Sequence, residues 1–434
     1  MARRGASARR AARPVGVRVV VDARPLQEPQ RGPITAYYLE RLLEAFATHP
    51  LAGESFVLLL RALSHDPTRS MEEAGLAVSG RRLLPPTSRV FRSAGLTLDS
   101  FLLRGAGLGA GSGALASGAA GTVYHSAGGA MPLASVLPMV ASVLDLAPWE
   151  LPERYAATGA ARLGHRLRAR ALRKSASVIV ASDATARTVR RLLHVPEERI
   201  SVVPLAADPR FRHATEDGSA TTRMAALGSR FDLPSRYLVF VGRYDARKDF
   251  ATLFEALAAL RDQAPKSAEE GVAWPPVVVL AGASGDDNAD SPAVARAARR
   301  FGVEDVVRLT PRLDSADLAA LQSGAVAHVQ PALSDGTGIA AIDALAAGIP
   351  VICTRVGALP EVVGAAGIIV EPREPGRLAS AIRAMWEGGA VARQISRRAR
   401  LRAEGAQRTW DDVAHETRLA YVSALHPHAP ESER

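Results

Sequence analysis

Cysteine and lysine are nearly missing from this sequence. Its one thiol, Cys353, excludes an intrachain disulfide and fits a reducing compartment. Val351 and Ile352 beside it read as a buried strand, so Cys353 reads as a structural thiol, not a nucleophile. Lysine occurs only at Lys174, Lys248 and Lys266, and arginine carries nearly all of the +10 net charge. In so arginine-rich a chain, a lysine at a strand end is informative. No run of about 18 apolar residues is present, which excludes a hydrophobic membrane-spanning helix. The longest candidate, at 136–144, is broken by Pro138. The Arg- and Ala-rich start lacks the apolar stretch of a secretory signal, so a cytoplasmic location is expected. Zinc-ligand spacing and an aromatic RNA-binding signature are both lacking, so nucleic acid is not an expected partner. The basic balance favours other anions, namely phosphates or anionic lipid.

What is present is a repeated alternation of short apolar strands and helices. Val17–Val21, Phe56–Leu60, Thr122–His125, Val140–Leu144, Val178–Ala181 and Ile200–Val203 read as strands of a first parallel sheet. The pattern restarts with strands at Tyr237–Val241, Val277–Leu280, Val306–Leu309, Ala325–Gln330 and Pro350–Cys353, with helices between them. The expected organisation is a basic tail over 1–15, an N-terminal Rossmann-like domain over 16–207 and an irregular linker over 208–230. A C-terminal Rossmann-like domain over 231–408, a returning helix over 409–425 and a tail over 426–434 complete it. The Gly-, Ala- and Ser-rich stretch 105–121 reads as a mobile loop. The fold class is therefore α/β, with two doubly wound parallel sheets facing across a cleft and ligands at the strand carboxyl ends.

Two clusters carry chemistry. Gly242, Arg243 and Lys248 follow a strand end, where a tight turn and two cations suit a diphosphate; a solvated loop with two surface cations is the alternative. The second cluster is PALSDGTGIAAIDALAAGIP from Pro331 to Pro350. Gly336 and Gly338 flank Thr337 just before a helix, and such a turn offers backbone N–H groups and a positive dipole end to an anion. Thr337 also suits the helix N-cap. Asp335 and Asp343 are placed to accept hydrogen bonds from sugar hydroxyls, with solvent-facing or capping roles as the alternative.

These segments resemble the donor-binding signature of the family-four retaining glycosyltransferases of the GT-B fold. The resemblance is carried by VGRYDARKDFATLFEALAAL from Val241, by PALSDGTGIAAIDALAAGIPVICTRVGALPEVVG from Pro331, and by the following Gly367-Ile368-Ile369-Val370. VDARPL, HSAGGAMPL and VLDLAPWELPERY echo the family in the N-terminal half. The resemblance implies transfer of a hexose, mannosyl or related, from a nucleoside-diphosphate sugar to a glycan or lipid-linked acceptor. It implies no cofactor and no metal, the diphosphate being held by basic side chains and a helix start. Arg243, Lys248 and Asp335 are the implied catalytic residues. Gly242, Gly336, Thr337, Gly338, Ile339, Asp343 and Arg312 are the implied donor contacts.

Three departures from the family stand out. Its two glutamates appear as Asp335 and Asp343, each shorter by roughly 1.5 Å of reach. The histidine expected before Asp145 is Leu144; His125 is a candidate replacement at the cleft, with core packing as the other reading. The glycine-rich N-terminal turn is reduced to Gly32-Pro33-Ile34. Gly32, His125 and Asp145 are thus the candidate acceptor-side residues. Asp286-Asp287 has the look of a metal-binding pair but reads better as a capping loop. The basic stretch from Arg162 to Lys174 reads as a solvated helix, with contact to an anionic membrane as its alternative. A catalytically degenerate nucleotide-binding protein and a nucleotide-sugar epimerase are the competing functions.

Overall fold

A computed structural model describes residues 17–84, 121–128, 131–132, 135–213, 219–263, 273–282 and 291–426. The basic tail 1–15, the segment 105–120, the pair Asp286-Asp287 and the tail beyond 426 lie outside the described residues.

Among the described residues the first sheet has seven strands: β1 Arg18–Asp22, β2 Ser55–Arg61, β3 Val78–Leu84, β4 Thr122–Ala127, β5 Met139–Val143, β6 Ser177–Val180 and β7 Ile200–Val202. Their order is β3-β2-β1-β4-β5-β6-β7, and β1 pairs in parallel with both β2 and β4. The second sheet has six strands among the described residues: β8 Leu238–Val241, β9 Val278–Ala281, β10 Val307–Thr310, β11 His328–Gln330, β12 Val351–Thr354 and β13 Gly367–Val370. Its order, β10-β9-β8-β11-β12-β13, is the doubly wound order of a dinucleotide-binding sheet. β2, β4, β5, β9 and β12 are buried along most or all of their length, the near-continuous apolar run of strands covered on both faces.

Sequence reading missed β3, β13 and several helices, among them Asp183–Thr188, Leu359–Val363 and Ala390–Glu404. β3 reads VSGRRLL, where a glycine and two arginines hide the strand period. The irregular linker is also corrected. Residues 208–230 contain the helices Pro209–His213 and Ser219–Phe231. Leu227 of the second packs in a buried cluster with Tyr237, Val239, Val279 and Leu321. The polar composition of that stretch concealed one apolar helix stripe, and that stripe makes it part of the second sheet's core.

The chain divides into two compact units. One holds 1–142, 170–179 and 414–434; the other holds 143–169 and 180–413. The loops after β5 and β6 are therefore grouped with the second sheet. In the first unit, His125 on β4 is fully buried. Its Nε2 lies 2.9 Å from the Ser142 hydroxyl and its Nδ1 2.8 Å from the Tyr421 hydroxyl. Burial pushes its pKa down to about 4. His125 is thus a core residue with both ring nitrogens engaged, which corrects its reading as a cleft residue. Tyr421→Phe would leave one ring nitrogen buried without a partner. The expected loss is about 1–2 kcal/mol of stability, read as a lower urea midpoint with an unchanged slope. Gly32 lies at the N-cap of the helix Pro33–Thr48 in the same unit.

Candidate active site

Strand order builds the site. β8 and β11 are neighbours although two strands separate them in the chain, and ligands of doubly wound sheets sit where the order reverses. The loop after β8 runs through Gly242 to Lys248, and the loop after β11 through Pro331 to Gly338. Gly242 has φ +140°, a conformation that favours glycine. The Asp245 side chain then accepts a 3.0 Å bond from the Arg247 N–H and caps a single turn over Ala246–Lys248. That turn aims the Lys248 ammonium at Asp335, with Nζ 3.2 Å from Oδ2 and side chains only 12% and 11% exposed.

Asp335 is the hub. Its Oδ1 accepts from the Gly338 N–H at 2.8 Å and the Thr337 N–H at 3.3 Å. Its Oδ2 accepts from Gln330 Nε2 at 2.9 Å as well as from Lys248. Burial alone would raise its pKa, but the Lys248 charge, the Gly338 N–H and Arg247 outweigh it and hold the carboxyl at about 2. Asp335 therefore stays ionised throughout the working range.

Several expectations change here. Thr337 is not the side-chain cap of the helix Ile339–Ala346; Gly338 is the N-cap residue and makes no side-chain cap bond. Asp335 accepts from the N–H groups of Thr337 and Gly338, just ahead of the helix, so two N–H groups expected to meet an anion are already engaged. First-turn N–H groups, including those of Ile339 and Ala340, lack intrahelical partners. Asp335 precedes the helix and Asp343 lies inside it. Asp343 is buried, and its Oδ1 accepts from the Asp208 N–H at 3.0 Å. Arg243, just after β8, and Arg312, just after β10, are exposed.

The cation that joins Lys248 is Arg247, which sequence reading passed over. Its Nη1 lies 2.5 Å from Asp145 Oδ2 and its Nε 3.7 Å from Asp245 Oδ1. Burial opposes its charge, but Asp145, Asp245 and Asp335 raise its pKa. Asp145 thus belongs to the cluster, and its Oδ1 also accepts from the Ala147 N–H at 2.9 Å. Gly336 is required by close approach, since a Cβ there would stand 2.7 Å from the Leu144 carbonyl oxygen. Thr185 donates to the Gly336 carbonyl at 3.0 Å. Tyr155 donates to Asp245, and Ser334 donates to Glu150. Burial raises the Glu150 pKa, helped by the negative charges of Asp145 and Asp335 and opposed by the Ser334 hydrogen bond. Beside this cluster opens a cavity of about 460 Å³ lined by Trp149, Glu150, Arg191, Leu192, Leu333 and Gly357, among others. Only the proximity of charged residues to strand ends signalled Arg247 and Glu150 in the sequence, and many surface residues share that property.

Cys353 is buried in β12 and burial pushes its thiol up to about 12, as suits a structural role. Among the described residues no three His, Cys, Asp or Glu side chains are grouped to hold a metal ion. No helix among them is long and apolar enough to cross a membrane. The helix Gly159–Lys174 exposes Arg162, Arg166, Arg170, Arg173 and Lys174, while Arg168 lies 5.7 Å above the Trp149 ring.

Residues 235–388 match the family described as Glycosyl transferases group 1. Over 223 residues the chain is 33% identical to a D-inositol 3-phosphate glycosyltransferase of Streptomyces avermitilis, covering 50% of this chain and 45% of that protein. The chain thus matches about half the length of such relatives. A sucrose-phosphate synthase from Thermosynechococcus elongatus superposes with a TM-score of 0.63 at 19% identity, over 94% of this chain and 98% of that one. HepE of Anabaena, crystallised with UDP-glucose, gives 0.62 at 15% identity, over 94% and 99%. These likenesses show the fold: two Rossmann-like parallel-sheet domains of the GT-B type.

Proposed function

We infer, from the premise that residues 235–388 form a group 1 glycosyltransferase domain, that this protein transfers a sugar from a nucleoside-diphosphate donor to a hydroxyl-bearing acceptor. The observation that carries this reading is Lys248 beside Asp335 at the start of the helix Ile339–Ala346, between the loops of β8 and β11. Two linked phosphates carry more charge than one carboxylate and compete well for that ammonium. Lys248, with Arg243 from the same loop and the first-turn N–H groups of Ile339 and Ala340, neutralises the charge that grows on the leaving phosphate. The acceptor hydroxyl attacks the face from which the diphosphate departs and passes its proton to the departing phosphate oxygen. The anomeric configuration is retained, and neither a dedicated protein base nor a metal is needed. Asp335 accepts hydrogen bonds from the donor sugar and Asp343 from the ribose. The cavity by Trp149, Glu150 and Arg191 offers an aromatic face, a carboxylate and a guanidinium to a polar acceptor.

The hexose is mannosyl or a related sugar, and the acceptor is a glycan, a lipid-linked sugar or a polyol phosphate such as D-inositol 3-phosphate. The test is a panel of UDP- and GDP-sugars scored by thermal shift, then by nucleoside-diphosphate release with each acceptor, with and without a chelator. A donor should raise the melting temperature and turn over equally well with chelator present. Binding without turnover on any acceptor would point to a degenerate nucleotide-binding protein, and no binding at all would end the donor-site reading.

A further inference from the structure

β11 reads His-Val-Gln, and its two outer residues, on one face of the strand, are buried polar side chains. A third, Gln322, is also buried, and polar groups in such a place must be paired or they destabilise the fold. They are joined in series, and only the Gln322 oxygen is left without a partner. Gln322 Nε2 lies 3.3 Å from His328 Nδ1, His328 Nε2 lies 3.2 Å from Gln330 Oε1, and Gln330 Nε2 lies 2.9 Å from Asp335 Oδ2. The direction of every bond follows from the last one. Asp335 is ionised and only accepts, so Gln330 presents its NH2 there and its oxygen to His328. His328 must then carry its proton on Nε2, which leaves Nδ1 as an acceptor. Gln322 meets Nδ1 with its NH2, which also donates to the Ala340 carbonyl at 3.1 Å. Reversing either amide sets oxygen against oxygen or against a nitrogen lone pair.

We propose that Gln330, oriented by a neutral Nε2-protonated His328 and anchored through Gln322 to the helix Ile339–Ala346, is a positioning residue that fixes the Asp335 carboxylate. The inference deepens the transferase reading and rests on it for its kinetic part only. A carboxylate one methylene shorter than a glutamate makes a smaller arc, so its direction depends more on donors around it. On Oδ2, Lys248 is the donor that a diphosphate would draw away, and Gln330 is the one that stays. With Gln330 in place, Asp335 keeps its orientation when the lysine turns to phosphate. His328 burial holds its pKa at about 4, so the series keeps one polarity at neutral pH.

Two measurements on the full-length chain test this. The first is the nitrogen-15 shift pattern of the His328 ring at pH 7. A protonated Nε2 with a bare Nδ1 is expected; a protonated Nδ1 would overturn the proposal whatever the enzyme's activity. The second is Gln330→Leu, which removes one hydrogen bond to an ionised group. Loss of about tenfold in kcat is expected, with the donor KM within about twofold and the ring losing its fixed tautomer. A kcat equal to wild type would overturn the positioning role. Should the unaltered protein turn over no donor, the transferase reading fails, and the ring shifts still decide the hydrogen-bond series. Should Gln330→Leu not fold, the wild-type ring measurement keeps the proposal open to refutation.

Discussion

Replacing Lys248 by alanine is expected to lower kcat/KM for sugar transfer by about a thousandfold, or about 4 kcal/mol of transition-state stabilisation. The side chain is almost buried and ends 3.2 Å from Asp335, so its charge acts where water screens it poorly. In the proposed reaction that charge matters most when the diphosphate departs, so kcat should fall more than the donor KM rises. The substitution also strips Asp335 of its ammonium, though its bonds from Gln330, Thr337 and Gly338 remain. A stability control is therefore needed. Lys248→Met keeps the stem and loses only the charge, and it should be as inactive as the alanine variant while unfolding at a higher urea concentration. Retention of full transfer by either variant would remove Lys248 from the chemistry and leave the Asp335 pair as a structural clamp.

Acidification from pH 7.5 to 5 is expected to cost about 4 kcal/mol of folding stability through two imidazoles alone. His125 and His328 are both fully buried, and burial lowers each pKa from 6.5 to about 4. The sign follows from proton counting. Between these two values the unfolded chain binds a proton at each ring and the folded chain does not, so stability rises with pH. The contribution is complete above about pH 6.5 and is lost as pH falls toward 4, with about 2 kcal/mol per ring gone at pH 5. Asp335, held at about 2, adds a loss of the same sign at lower pH. The two rings belong to different units, so urea unfolding followed by probes in each should show both transitions weakening. Midpoints that stay flat between pH 6.5 and 5 would mean that these rings are protonated or exposed in the folded chain.

Much of the fold was legible because strand and helix periods are local. Alternating β-branched runs and amphipathic helices identified eleven of the thirteen strands among the described residues within one to three residues; β3 and β13 escaped, β3 because its arginines mask the period. The helix Ser219–Phe231 escaped for the opposite reason, since its one apolar stripe was diluted by polar residues. At the candidate site, Lys248, Asp335 and Asp145, all named from the sequence, lie in one cluster in the structure. Arg247, Glu150 and Gln330 were not found, because an arginine on a turn or a glutamine in a strand has many uses and its partners lie far away in the chain. His125 shows the converse: a histidine at a strand end looked available until Ser142 and Tyr421 closed on both of its nitrogens.

The amino-acid order by itself determined two successive runs of alternating strands and helices, a glycine-opened helix after β11 and a cationic loop after β8, since each depends on contacts among near neighbours. Only tertiary structure decided that Lys248 meets Asp335 across 87 residues and that Arg247 takes Asp145. The pairing of Lys248 with Asp335 follows from β8 and β11 lying side by side in the sheet. Strand order is set by how the whole core packs, and no local run of residues encodes it.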